Sequence, residues 1–82
     1  MSSMNRRYYR DARLIEEALS EAGRPDWAQL IDDAIEGGSS ASDILVRLRD
    51  VLTQIQTQQL RLPVQLEDQI QSLVRDIDGA EG

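Results

Sequence analysis

The chain has 82 residues, of which 40% are hydrophobic and 29% charged, with a net charge of −6 and neither cysteine nor histidine. Without these two residue types it lacks a disulfide framework, thiolate zinc ligands and the commonest general base, so we expect no catalytic, cofactor-binding or metal-binding residues. No apolar run approaches the roughly 18 residues of a membrane helix, and the N-terminal segment lacks the apolar stretch of a signal peptide, so we expect a cytoplasmic, bacterial protein without membrane contact. All nine basic residues are arginine, which suggests GC-rich coding.

The first two predicted helices cover residues 5–22 and 25–36. Gly23 offers a left-handed stop between them, and Pro25 is tolerated in the first turn of the second. Gly37 and Gly38 end the second helix. Apolar residues recur at helical spacing in both: Tyr8, Ala12, Ile15, Leu19 and Ala22, then Trp27, Leu30, Ile31, Ala34 and Ile35.

A third helix is predicted over residues 41–59. Ser40 is a suitable N-cap that accepts from the backbone N–H three residues on, and Asp43 resembles the acid of a capping box. The apolar face is followed by a glutamine-rich stretch and consists of Ile44, Leu45, Leu48, Val51, Leu52 and Ile55.

A fourth helix is predicted over residues 63–78, because Pro63 disfavours a helical residue before it and Gly79 offers a stop. Its stripe is Leu66, Ile70, Leu73, Val74 and Ile77. The terminal residues, 1–6 and 79–82, are expected to fray.

These elements predict an all-α fold, a single domain over residues 1–82 built as a small bundle of about four helices with short loops. Short loops favour antiparallel neighbours, so we expect helix four to fold back on helix three. The alternative is a homodimer through helices three and four, in which Leu60, Leu62 and Leu66 are buried between chains.

Charge is unevenly distributed along the chain. Residues 1–13 carry +3, residues 14–36 carry −6, residues 37–62 carry +1 and residues 63–82 carry −4. An acidic body repels nucleic acid and anionic lipid and attracts basic protein surfaces, so we expect a protein partner with a basic surface. The candidate partner-binding residues are Asp32, Asp33, Glu36, Glu67, Asp68 and Trp27.

Two interpretations of the acidic residues stay open at this stage. Like charges four residues apart, such as Asp32 and Glu36, destabilise an isolated helix, so the cluster requires either arginines from elsewhere in the chain or an external partner. The N-terminal arginines that could fold across helix two or helix four are Arg6, Arg7, Arg10 and Arg13. Trp27 is expected at the edge of the core, with an exposed contact residue as the alternative.

A nucleic-acid interpretation rests on two features. The segment from Arg6 to Arg10 combines arginines with two tyrosines, and helices two and three resemble a helix-turn-helix whose second helix carries Arg47 and Arg49. The acidic remainder of the chain argues against it.

The stretch LIEEALSEAGRPDWAQLIDDAIEGGSSASDILVRLRDVL, residues 14–52, resembles a pattern found in short uncharacterised helical bacterial proteins, some of them immunity proteins. The resemblance favours a non-catalytic inhibitor of the immunity or phage-encoded kind. The acidic clusters of helices two and four indicate that such an inhibitor would occupy a basic surface of a toxin or defence enzyme. A homo-oligomeric structural or adaptor protein and a DNA-binding regulator are the alternatives.

Overall fold

The computed structural model describes residues 3–81, with side chains described over residues 7–79, and it confirms the all-α class. The described part contains no strand. Fraying of residues 1–6 and 79–82 stays a prediction: the backbone is helical at both ends as far as it is described, and residues 1, 2 and 82 lie outside that part. The helices are α1 (Ser3–Glu21), α2 (Pro25–Gly37), α3 (Ala41–Gln58) and α4 (Val64–Glu81).

The predicted helix ends agree with the observed ones to within three residues, and the largest difference is at the end of α4. That helix continues through Gly79, which was expected to stop it. A glycine ends a helix when it takes a left-handed conformation, and Gly23 is the described glycine that does so, with φ of 81°. Gly79 remains helical, at a propensity cost of about 1 kcal/mol.

The turn between α1 and α2 forms as the sequence predicts. The Gly23 N–H donates to the Ser20 carbonyl at 3.2 Å, and the Arg24 N–H donates to the Leu19 carbonyl at 2.8 Å. This pair of bonds is the Schellman motif, which satisfies carbonyls at the helix end. Pro25 then occupies the first turn of α2, so the two helices are joined by a short, fixed connection.

The predicted cap of α3 is also confirmed. The Asp43 N–H donates to Ser40 Oγ at 3.2 Å, while the Asp43 carboxylate accepts from the Ser39 N–H at 3.1 Å, one residue before the position of a capping box. Arg47 Nε donates to the same carboxylate at 3.0 Å. Two hydrogen bonds hold the pKa of Asp43 below its usual value: the larger cause is the bond from the Ser39 N–H, and the smaller is the bond from Arg47.

The link between α3 and α4 differs from the prediction. The helix was expected to reach residue 59, but Gln59 takes a left-handed φ of 54° and donates its N–H to the Gln56 carbonyl at 3.3 Å, which ends α3 well before Pro63. The Pro63 carbonyl accepts from the N–H groups of Leu66 and Glu67, both at 3.0 Å, so proline precedes the helix rather than beginning it.

One apolar core lies between the four helices, and no polar or charged side chain is buried among those described. Two residues assigned to core stripes are exposed instead: Ala22 falls in the turn, and Leu30 lies at the margin of its stripe with 42% exposure. The buried residues are Tyr8, Ala12, Ile15, Leu19, Ala28, Ile31, Ala34, Leu45, Leu48, Leu52, Ile55, Leu66, Ile70, Leu73 and Ile77.

The helices form a closed ring in chain order. Each helix packs on the next, α4 returns against α1, and α1 also contacts α3 across the core, whereas α2 and α4 do not touch in the described part of the chain. The predicted packing of helix four on helix three is therefore confirmed. None of the described helices is long and apolar enough to cross a membrane.

Candidate functional site

Seven acidic residues, three on α1 and four on α2, make up what is here called the α1–α2 acidic face. At its centre Arg13 of α1 reaches across to α2: Nη1 donates to Asp32 Oδ1 at 2.6 Å, and Nη2 donates to Glu36 Oε2 at 2.8 Å. Arg13 Nη1 also donates to Glu16 Oε1 at 2.8 Å. The acidic face consists of Glu16, Glu17, Glu21, Asp26, Asp32, Asp33 and Glu36.

The Arg13 cluster explains how like charges four residues apart are tolerated on α2. One guanidinium compensates three carboxylates. Hydrogen bonds to these carboxylates, with that to Asp32 as the largest cause, hold the pKa of Arg13 above its ordinary value. The intramolecular interpretation therefore holds for Asp32 and Glu36. Since one positive charge faces three negative ones, the cluster still carries an excess of negative charge.

We expect Arg13→Met to destabilise the protein by about 1 kcal/mol at low salt, because methionine keeps an apolar stem but leaves Glu16, Asp32 and Glu36 to repel one another. This loss of stability should be smaller at about 1 M salt, where the electrostatic screening length falls to about 3 Å. Urea unfolding at both salt concentrations measures it. The control is Arg10→Met, since Arg10 makes one loose ion pair, at 3.7 Å with Asp11. Equal effects of the two variants at low salt would contradict the cluster's role.

The other four acids of the face have no arginine partner among the described residues. Glu17, Glu21, Asp26 and Asp33 are exposed and form no ion pair, and Asp33 accepts a single hydrogen bond, from Gln29 Nε2 at 3.0 Å. Glu17 and Gln29 line the same shallow surface groove between α1 and α2. These acids project their charge directly into solvent.

The structure does not bring the six predicted partner-binding residues together. Asp32, Asp33 and Glu36 lie on α2, while Glu67 and Asp68 lie on α4, and the two helices occupy opposite corners of the ring. The α4 pair is also divided. Glu67 borders α3 and Asp68 borders α1, because neighbouring helical residues point about 100° apart. No single flat surface can contact all five acids.

Trp27 lies at the edge of the core, as expected. It is partly buried and packs against the core cluster. The more exposed apolar residue of α2 is Leu30, which the sequence assigned to the core. Leu30 is four residues after Asp26 and three before Asp33, so it shares their side of the helix.

Four of the side chains that suggested nucleic-acid binding, Arg7, Tyr8, Arg47 and Arg49, have partners within the chain. Tyr8 is buried, with its hydroxyl donating to the Asp76 carbonyl at 3.4 Å, and Arg7 pairs with the Asp76 carboxylate at 3.3 Å. Arg47 pairs with Asp43 at 3.0 Å, and Arg49 Nε donates to Asp78 Oδ1. The side chain of Arg6 lies outside the described ones.

The apolar residues that suggested a homodimer are covered by their own chain. Leu66 is buried at 2% exposure, and Leu60 and Leu62 are partly buried against the same core. The homodimer stays a prediction, which the molecular mass in solution would test.

The partner-binding residues predicted from the sequence do not include Glu17, Glu21 and Leu30, whose side chains are exposed in the structure. Their exposure depends on which side of α1 and α2 faces the core, and the four-residue spacing of Glu17 and Glu21 was the available signal. Among the described side chains, no group of three acids converges closely enough to hold a metal ion. No family model matches the chain, and neither a curated protein nor a solved structure matches it.

Proposed function

We propose that this chain is a non-catalytic protein that acts by binding a basic surface of another protein through the α1–α2 acidic face. The observation that carries the proposal is the set of exposed acids, Glu17, Glu21, Asp26 and Asp33, that the described part of the chain leaves without arginine partners. A bound arginine- or lysine-rich surface would supply the missing positive charge.

The arrangement has the features of an association surface. An excess of one charge over a large area steers an oppositely charged partner and raises the association rate. Leu30, at 42% exposure, provides an apolar contact beside Asp26 and Asp33. Burying this side chain adds a contribution that salt does not screen.

Within this class, an inhibitor of the immunity or phage-encoded kind is the form that we favour. Its target would be a toxin, nuclease or defence enzyme with a basic surface, and the resemblance of residues 14–52 to immunity-like proteins supports this form. A bacterial cytoplasmic setting fits such an inhibitor.

The experiment is capture of binding proteins from a bacterial lysate on the immobilised chain, with washes of increasing salt. Asp33→Lys is the variant of choice, because Asp32→Lys would also break the bridge to Arg13. The matched control is Asp50→Lys on α3: both aspartates accept a hydrogen bond from a glutamine on the same helix, at 3.0 Å for Asp33 and 2.9 Å for Asp50.

We expect one stoichiometric basic protein to be retained by the wild type and by Asp50→Lys, and to elute at lower salt from Asp33→Lys. The two variants have the same net charge, so a difference between them reports the local surface. Recovery of the chain alone, or equal retention of an acidic partner by all three proteins, would refute the proposal. Self-association would then direct attention to the homo-oligomeric alternative.

A further inference from the structure

We propose that the groove between α1 and α4 is a second docking site, which takes a basic amphipathic helix of the partner. The inference rests on the proposed function, since the occupant belongs to a basic protein. The α1–α4 groove, as we call it, is formed by two adjoining depressions that share Gln65 and Gln69. It runs along α1 from Asp11 to Glu21 and ends at Ala22 in the following turn.

The apolar surface of the groove lies outside the core stripe of α1. Leu14 is 49% exposed, whereas its neighbour Ile15 is 1% exposed. Ala18 and Ala22 follow Leu14 at spacings of four residues, so they continue the same line along the helix. A large apolar residue followed by two small ones gives a partner helix a contact and leaves room for close approach.

The border of the groove specifies the charge of the occupant. Asp11, Glu21 and Asp68 line it, and no arginine does among the described side chains. Glu21 thus lies where the groove meets the α1–α2 acidic face. Glu21 and Asp68 form no ion pair among the described residues, and the contact of Asp11 is the 3.7 Å approach of Arg10. Three acids around an apolar strip are complementary to a helix with arginine or lysine beside its apolar stripe.

The size of the groove fits a short helix. Asp11 and Glu21 are ten residues apart along α1, which corresponds to a rise of about 15 Å, close to three helical turns. Gln65 and Gln69, one turn apart on α4, add amide donors and acceptors along the opposite wall. A second copy of the chain is a poor occupant because it carries a charge of −6 itself.

The test uses the full chain and a synthetic helical peptide of leucine, alanine and arginine, about 14 residues long, with leucines three and four residues apart. A scrambled peptide of the same composition is the peptide control. Amide chemical shifts of the isotope-labelled chain locate the bound peptide. We expect the largest changes at Leu14, Ala18 and Gln69, and weaker binding of the scrambled peptide.

Charge reversals at two adjacent residues of α4 distinguish binding in the groove from a general attraction between the basic peptide and the acidic chain. Asp68→Arg changes the border of the groove, while Glu67→Arg changes a residue that borders α3 instead. Both side chains are exposed, and the variants have equal net charge. We expect Asp68→Arg to weaken peptide binding about tenfold and Glu67→Arg about twofold or less.

Each contrary outcome has a distinct meaning. Shift changes centred on Gln29 and Asp33 would place the helix on the α1–α2 acidic face, overturning the groove site while sustaining the proposed function. The groove site would also be overturned if Asp68→Arg and Glu67→Arg weakened peptide binding equally, or if the chain bound the amphipathic and the scrambled peptide equally well. Capture of a basic protein decides the proposed function separately, because it does not require a helix.

Discussion

Replacing Ile31 by alanine is expected to lower the free energy of unfolding by about 3 kcal/mol. Ile31 is fully buried, and the other buried residues of α2 are two alanines, Ala28 and Ala34. This isoleucine therefore supplies most of the large apolar surface that α2 places entirely within the core. The substitution by alanine would remove the transfer free energy of the isoleucine side chain and would leave a cavity that the ring of helices cannot close completely.

The measurement is urea or thermal unfolding followed by circular dichroism. A domain of this size has a total stability of roughly 4–12 kcal/mol, so the variant should melt about 15 °C lower or lose its cooperative transition. The control is Leu30→Ala, one residue earlier on the same helix, which removes a side chain that is 42% exposed. If Leu30→Ala lowers the free energy of unfolding as much as Ile31→Ala does, α2 does not face the core through Ile31.

Gly38→Ala is expected to destabilise the protein by about 2 kcal/mol, for a reason unrelated to backbone flexibility. Gly38 has an extended conformation, with φ of −74° and ψ of 140°, which alanine adopts freely. A Cβ at this position would instead overlap Ile44 Cγ1 and lie 3.1 Å from the Ile44 Cα. Since the Cα belongs to the first turn of α3, α2 and α3 must shift apart.

The adjacent glycine provides the control. A Cβ at Gly37 would meet no atom within 4 Å, and Gly37 is the last residue of α2. Alanine has the higher helix propensity, so Gly37→Ala should be neutral or stabilising by a few tenths of a kcal/mol. Thermal unfolding of the two variants side by side measures the difference. Equal melting temperatures would show that the contact between Gly38 and Ile44 does not limit the turn.

These two sites and the proposed binding surfaces lie on different parts of the molecule. Ile31 and Gly38 contribute to the core and to a turn, whereas Asp33 and Asp68 are exposed. Charge reversals at the exposed acids should therefore change binding with little change in stability, because surface substitutions away from packed features usually cost less than about 0.5 kcal/mol. Stability and binding can be measured as independent properties.

Local signals in the sequence determined the helices and most of their ends. Helical spacing of apolar residues identified all four stripes, because a helix must bury one continuous face. Gly23, Pro25 and Ser40 marked ends correctly, since each acts through the conformation or hydrogen bonding of its own turn. Gly79 did not mark the end of α4, because glycine permits a left-handed conformation that stops a helix but does not require it.

The arrangement of charge on the surface was decided by the tertiary structure. The sequence shows the acids and the arginines, but Arg13 meets Asp32 and Glu36 only because α2 packs antiparallel against α1. That contact compensates two of the predicted binding residues and leaves Asp33 exposed. The fold also separates Glu67 and Asp68 from α2, because helices two and four occupy opposite corners. Helix formation depends on interactions within a few residues, whereas an ion-pair network depends on side chains brought together from distant parts of the chain.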